Sequence, residues 1–415
     1  MKSIRLFAAW LSAALLMAAA TAQAQGTSGQ PIKIGIGIAQ TGALSGGGKA
    51  ALVALQLWVD DVNAKGGLLN RKVELISYDD QSSPAVTPGI YTKLLDVDKV
   101  DLLIAPYATV PTAPLMPLVK QRNLLLMGNF SFQVNHTVKH DMWFNNAPWN
   151  DASSWSDGFF STGGRLGATT VAFLAADQEF AQNLANGARE LSKKLGLKTV
   201  YEQNYPPSTV DFSAMIRAIR AAKPDLVFVA SYPNDSAAIV RAVNEIGVGP
   251  SVKLFGGGMV GLQFTPIMES LGSMMNGIVN YNTYVPGMDY PGIKNYFERY
   301  SKRAIAAKVD PLGYYITPFN YAIGQMIEQA VTATKSLDHK VLAAYLRKNE
   351  MKTIVGPIRY GPDGEWASPR VITTQFRGIG DKNVDQFKLP GKQVILSPAS
   401  VKTGEIVAPF EKARK

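Results

Sequence analysis

The 415-residue chain contains no cysteine. That excludes disulfides, thiolate metal sites, a thiol nucleophile and a lipid-anchored N-terminal cysteine. Histidine is almost as scarce: His136, His140 and His339 are the whole set, and all three stand in polar surroundings. Serine-hydrolase chemistry, which needs a histidine within reach of its nucleophile, therefore has no candidate, and no Gly-x-Ser-x-Gly elbow occurs. Past the first two dozen positions no apolar run approaches the ~20 residues a membrane span needs. A dense Lys/Arg block is missing too. The formal charge of +10 is spread along the chain, which argues for solubility and mild attraction to anions, and against a nucleic-acid surface.

What is present begins with an export signal. Lys2 and Arg5 precede an apolar run from Leu6 to Ala20, and Ala22-Gln23-Ala24 has the small-x-small form that a signal peptidase cuts. Residues 1–24 thus read as a cleaved secretory signal, with the mature chain starting near Gln25. Export without disulfides calls for domains held by their own cores, and the remaining length suits roughly two domains of ~100–200 residues.

The stretch from Ile32 to Asp80 sets the pattern for the rest. Ile32 to Ala39 is a buried parallel strand by its length and β-branching. Gln40 to Gly48 reads as a loop too rich in glycine for strand or helix. Leu52, Leu55, Trp58, Val59 and Val62 then mark one face of a helix that ends at Gly66-Gly67, and Val73 to Tyr78 is a second strand closing on Asp79-Asp80. In such a β-loop-α-β unit the polar loop lies at the carboxyl end of the strand, where open α/β sheets place ligands. Asp79 and Asp80 read as structural, bonding loop amides. Two further strands, Val100 to Ala105 and Leu124 to Met127, empty into Pro106-Tyr107-Ala108-Thr109 and Gly128-Asn129-Phe130-Ser131-Phe132.

The segment Trp143 to Trp155, with Pro148, paired asparagines and no periodicity, suits a crossing between lobes. Strands at Thr170–Leu174, Val200–Asn204, Asp225–Ala230, Lys253–Phe255 and Gly277–Tyr281 alternate with helices beyond it, so two βαβ arrays of similar size follow one another. Helices then occupy Tyr290 to Arg347, and Thr353 to Arg377 reads as a β-hairpin turning at Gly361-Pro362-Asp363-Gly364. The simplest path returns the chain to the first lobe and then recrosses, giving lobes of 31–147 plus 285–349 and 148–284 plus 350–410. Several crossing strands make a hinge.

Asp61-Val62-Asn63-Ala64-Lys65-Gly66-Gly67-Leu68-Leu69-Asn70-Arg71, the strand end Tyr78-Asp79-Asp80, the signal and the glycine-rich loop together resemble the Leu/Ile/Val-binding class of periplasmic solute receptors. The resemblance covers nearly the whole mature chain. It implies an α/β protein of two Rossmann-like, doubly wound lobes joined by a multi-strand hinge, the type I periplasmic-binding fold, which closes on a small carboxylate ligand for an ABC permease and its ATPase. It also implies a periplasmic location, no cofactor and no reaction. A receptor that signals to a partner instead of feeding a permease is the competing expectation. Carried over, the carboxylate-holding hydroxyl falls on Thr109, in the loop that also holds Tyr107. Backbone and hydroxyl ligands fall on Asn129 and Ser131 with Phe130 between them, and second-lobe aromatics on Phe180 and Tyr232. Where the family has an acid for an α-ammonium this chain has Gly258, and where it has an aromatic on the first loop it has a glycine near Gly47. The first departure points to an acid lacking an amino group, in place of an amino acid, unless Asp177, Glu179 or Asp235 takes over; the two together enlarge the pocket, which an aromatic acid would fill. Competing accounts are a helix cap for Thr109, core packing for Phe130 and Phe180, and loop-base packing for Tyr232.

Gly256-Gly257-Gly258-Met259-Val260-Gly261 matches a dinucleotide fingerprint, but the next strand does not end in the acid that would bind a ribose. His136 and His140 stand four apart beside Asp141, yet Asn135, Thr137 and Lys139 give no apolar face for a metal helix. Neither motif carries a site.

Overall fold

Apolar, β-branched runs make five strands in the first half of the chain. In the computed structural model, which describes residues 29–415, these are β1 (Ile32–Gly37), β2 (Val73–Tyr78), β3 (Leu102–Tyr107), β4 (Leu126–Asn129) and β5 (Trp143–Asn146). The secretory signal expected at 1–24 lies outside the described residues. The strands pair in the order β2-β1-β3-β4-β5, every pair parallel. A second array, β6 (Thr170–Ala176), β7 (Lys198–Tyr205), β8 (Leu226–Ser231), β9 (Leu254–Met259) and β10 (Val279–Asn282), repeats that order as β7-β6-β8-β9-β10. After a short hairpin of β11 (Met351–Thr353) and β12 (Gly356–Ile358), strands β13 (Ile372–Phe376) and β14 (Gln393–Ser397) add antiparallel to the β10 edge. Each parallel sheet reverses its strand order beside its first strand, and that crevice is where doubly wound sheets take ligands.

The helices that matter here are α1 (Ser45–Ala64), α2 (Glu179–Lys194), α3 (Pro233–Ile246), α4 (Thr265–Leu271), α5 (Ile293–Ala306) and α6 (Thr317–Thr334). Helix α1 starts inside the glycine run that composition assigned to a loop. A Cβ on Gly48 would lie 2.0 Å from the Ala39 carbonyl oxygen and one on Gly47 2.5 Å from the Tyr107 ring, so the glycines let the helix seat against the end of β1. On its other side, α1 packs against α6, where Gly324 gives way to the buried Trp58 ring. Asp61 of α1 takes the Arg299 guanidinium of α5 and, at 2.6 Å, the Tyr321 hydroxyl of α6. The late helices thereby return to the first sheet.

Three crossings join the lobes. The first runs from Ala147 to Ser156, since Trp143–Asn146 proves to be the last strand of the first sheet. The second spans Thr283 to Gly292, between β10 and α5. The third falls later than 350. Lys352 and Ile354 bond the side chains of Gln329 and Gln325 on α6, and Asn145 N–H donates to the Gly364 carbonyl at 2.8 Å. Residues 351–366 therefore pack on the first lobe, and the chain recrosses at about 367–371 before β13. The expected single hairpin over Thr353–Arg377 is really two features, the β11–β12 pair and a separate turn at 361–364 closed by the Tyr360–Trp366 bridge. Glu365, 6% exposed, fastens this turn by accepting the Asn145 amide at 2.7 Å and the Trp143 indole N–H at 3.3 Å.

Candidate functional site

The first loop of the first-lobe crevice is shaped by side chains that follow β2. Asp79 accepts the amides of Gln40 and Thr41 at 2.8 and 3.2 Å and the Thr41 hydroxyl at 2.7 Å, which ties the end of β1 to the end of β2. The Ser82 hydroxyl accepts the Leu44 amide at 3.0 Å. Opposite this loop stand the start of α3, the start of α4 and the segment Lys308–Asp310. Between the two sides lies a cavity of about 400 Å³, bounded by Gly42–Gly47, Lys49 and Tyr107 from the first lobe and by Asn234, Phe264 and Ile267 from the second.

Its charges are lopsided. Lys49 and Lys308 line it, both exposed and neither in an ion pair among the described residues. Helix α1 opens onto it with no side-chain cap and no acid in its first turn; the Ser45 amide donates to the Gly42 carbonyl at 3.2 Å, which leaves the Gly46 and Gly47 amides and the positive end of the dipole at the cavity. The one acid on the wall, Asp310, is committed elsewhere. Its carboxylate accepts the Thr265 amide and hydroxyl and the amides of Leu312 and Gly313, which pins the Lys308–Asp310 segment to α4. Burial pushes its carboxyl up against the pull of those four donors.

Beside the cavity the tips of both sheets meet in an aromatic seam. Phe130 leaves β4 at φ +54°, a left-handed conformation that a bulky residue holds only when its surroundings fix it. Here Trp149, Tyr315 and Phe319 surround its ring at 5.3, 5.2 and 5.1 Å. From the second lobe Phe180 packs on Phe132 at 5.9 Å, on Trp155 at 5.3 Å and on Tyr232 at 5.7 Å. The Tyr281 hydroxyl donates to that of Tyr315 at 3.1 Å, and Tyr315 in turn interacts with Tyr107, so three phenols link the lobes.

Of the nine residues expected at the site, Gly47 and Tyr107 line the cavity. Phe130, Phe180 and Tyr232 meet in the seam instead. Thr109 and Ser131 are buried with their hydroxyls in use: Thr109 Oγ1 accepts the Phe132 amide at 2.9 Å, and Ser131 Oγ donates to Thr112 Oγ1 at 2.9 Å. Asn129 Oδ1 accepts the Asn320 amide at 3.1 Å, leaving its Nδ2 unpaired. The Tyr232 hydroxyl lies by the amides of Phe180 and Ala181 without reaching hydrogen-bond geometry.

Two expectations are corrected. Gly258 lies inside β9, not after it, and a Cβ there would meet Leu184 at 2.7 Å and the Val229 carbonyl at 2.9 Å. It faces the core under α2, so its missing side chain says nothing about an ammonium. Gly47 does not enlarge the pocket, because the Tyr107 ring takes the space. The acids that might replace a missing carboxylate do not converge either: Asp177 and Glu179 are exposed, and Asp235 receives the Tyr205 hydroxyl at 3.2 Å.

Phe264 follows β9 and was open to the strand-into-loop rule once that strand's true end is known. Lys308 and Asp310 were not, since they arrive from a link between two helices. Of the two histidines four apart, His136 is exposed, whereas His140 is buried with Nε2 2.8 Å from the Leu124 carbonyl.

The model of the periplasmic binding protein family matches residues 31–377. The chain belongs to that family. Among its relatives, this periplasmic binding protein is 23% identical over 361 residues to the Leu/Ile/Val-binding protein homolog 7 of Brucella melitensis, covering 84% of this chain and 87% of the other. Two solved structures share its fold. The substrate-binding protein of a Streptococcus pneumoniae branched-chain amino acid transporter, in complex with isoleucine, superposes with a TM-score of 0.71 at 18% identity, over 85% of this chain and 97% of that one. A solute-binding protein of an ABC transporter from R. palustris, in complex with benzoate, gives 0.71 at 16% identity, over 89% and 97%. At such identities the likeness concerns fold alone. The family is one of periplasmic solute-binding proteins and not of enzymes.

Proposed function

We propose that this periplasmic binding protein is the solute receptor of an ABC importer and that its ligand is a small planar carboxylate without an ammonium group. One observation carries the reading. The cavity between the lobes offers helix-start amides, Lys49 and Lys308, while its only acid is saturated by four protein donors. A carboxylate gains charge-assisted bonds there, whereas a buried ammonium would lack a partner. The aromatic rings alongside suit a flat apolar body. The relative bound to isoleucine and the one bound to benzoate both take carboxylates, and this site's chemistry sides with the second. Closure on ligand, followed by docking on a permease, is the function, and it rests on higher affinity of the closed form for ligand.

A thermal-shift screen separates the ligand classes. Benzoate, 4-hydroxybenzoate and cinnamate are expected to raise the melting temperature, and leucine, valine and phenylalanine to raise it less, because stabilisation follows concentration over Kd. Leucine giving the largest shift would refute the ligand assignment.

A further inference from the structure

Asp310 stands on a segment that belongs to one lobe by chain and touches the other by contact. Residues 307–316 link α5 to α6, both of which pack on α1 of the first lobe. Thr265, whose amide at 3.3 Å and hydroxyl donate to the Asp310 carboxylate, opens α4, which packs on α3 of the second. The other two donors are the segment's own, the amides of Leu312 and Gly313 at 3.0 and 3.1 Å. The turn is likewise tied to its own lobe: Tyr300 of α5 donates to the Asp310 carbonyl at 3.0 Å, and the Thr317 hydroxyl of α6 to the Gly313 carbonyl at 2.6 Å. Of the four bonds to the carboxylate, then, the two from Thr265 cross between the lobes.

Asp310 is 7% exposed and makes no ion pair among the described residues. A buried carboxylate has to be matched by donors in the conformation that buries it, whereas in an opened cleft water takes the place of Thr265. The match is therefore made on closing, and Lys308, two residues earlier on the same segment, comes with it to line the cavity together with Phe264, Pro266 and Ile267. We propose that Asp310 is a positioning residue: by taking Thr265 across the cleft it sets Lys308 on the cavity wall, so that this cation meets a carboxylate only when the lobes are shut. An acid on the wall of an anion-attracting cavity then has a use, because its charge is spent on the opposite lobe instead of being turned on the ligand. Lys49, carried by α1, is present in the open cleft, and Lys308 is added on closure, which gives the closed form the higher affinity. This inference rests on the solute-receptor reading above.

Calorimetry with benzoate at low and high salt tests it on the mature protein. Thr265→Val, which loses the hydroxyl at nearly constant volume, should weaken benzoate about tenfold, and Thr265→Ser, which keeps it, should stay within about threefold of wild type. Lys308→Met should weaken benzoate too and flatten its salt dependence. Combining Lys308→Met with Thr265→Val should cost far less than the product of the two losses, a coupling that simple loss of packing at α4 would not produce. Without ligand, amide hydrogen exchange over residues 307–316 should be faster in Thr265→Val than in wild type and Thr265→Ser. Unchanged affinity in Thr265→Val, equal losses in the valine and serine variants, or losses that multiply in the double variant would overturn the inference while leaving the receptor intact. If wild type binds none of the aromatic acids, the reading beneath falls, and exchange alone then judges the contact: faster exchange in Thr265→Val upholds it, and unchanged exchange overturns it.

Discussion

Glu365→Gln is expected to stabilise the protein at neutral and alkaline pH and to do little at pH 4.5. Glu365 is buried at the turn before the last crossing, and burial, only partly offset by the Asn145 and Trp143 bonds, pushes its carboxyl from the usual 4.5 up to about 8. A folded-state value above the unfolded one means that the neutral acid's stability is complete below about 4.5 and drains away as pH rises through about 8. At about 1.4 kcal/mol per pH unit, and allowing for relaxation around an ionised group, the loss is on the order of 2–4 kcal/mol. Glutamine keeps an acceptor for the Asn145 amide, turns its NH2 towards the Trp143 indole N–H at a pH-independent cost of about 1 kcal/mol or less, and carries no charge at any pH. Urea unfolding from pH 4.5 to 8.5 should show wild type losing stability over that window and the variant staying nearly level. Asp80, pushed up to about 6 by burial beside Asp79, adds a smaller decline at the acidic end in both proteins. Parallel curves for the two proteins would place the titrating group elsewhere.

The second large effect is a contrast within one helical turn. Helix propensity favours alanine over glycine by about 0.8–1 kcal/mol at any interior position. At Gly46, the second residue of α1, nothing lies within 4 Å of an added Cβ, so Gly46→Ala should be neutral or keep part of that gain, which is smaller in the first turn than in the interior. At Gly48 the added carbon would fall 2.0 Å from the Ala39 carbonyl oxygen, a backbone atom that cannot swing aside. Overpacking of this kind costs typically ~1–3 kcal/mol, and more where backbone must move. The steric term wins, and Gly48→Ala should be destabilised by about 2 kcal/mol net. Because α1 would shift off the end of β1, its first-turn amides would move with it, so benzoate affinity should fall about tenfold or more. Urea midpoints and calorimetry on the two variants decide it; similar stabilities for both would show that α1 does not seat on β1 as described.

That contrast also shows where the sequence was legible and where it was not. Periodicity located the alternating strands and helices, because a buried parallel strand and an amphipathic helix write distinct patterns. The glycine run at Gly46–Gly48 misled, since its composition signals a loop while its reason is a tertiary contact with Ala39 and Tyr107. Gly258 misled in the same way: what empties that position is Leu184 of α2 and the neighbouring strand. The resemblance named Phe130, Phe180 and Tyr232, whose rings stand in the seam and not on the cavity wall. It did not find that Thr109 and Ser131 spend their hydroxyls inside the first lobe, because nothing local records that Phe132 N–H and Thr112 Oγ1 lie beside them. The cationic side of the cavity depends on Lys308, whose place is set by Asp310 gripping α4 across the fold. The third crossing was placed too early for a related reason: Glu365 is held by Trp143 and Asn145, more than two hundred residues before it.

In the proposed function, two lobes swing about three crossings and shut on a small carboxylate. With no native cysteine in the chain, Val97→Cys on the first lobe and Val210→Cys on the second, 68% and 86% exposed, give two unique dye sites. Single-molecule energy transfer between them should show one distribution without ligand and a saturable shift to a second, narrower one as 4-hydroxybenzoate is added. A distribution that no acid or amino acid moves, even at millimolar concentration, would contradict the account.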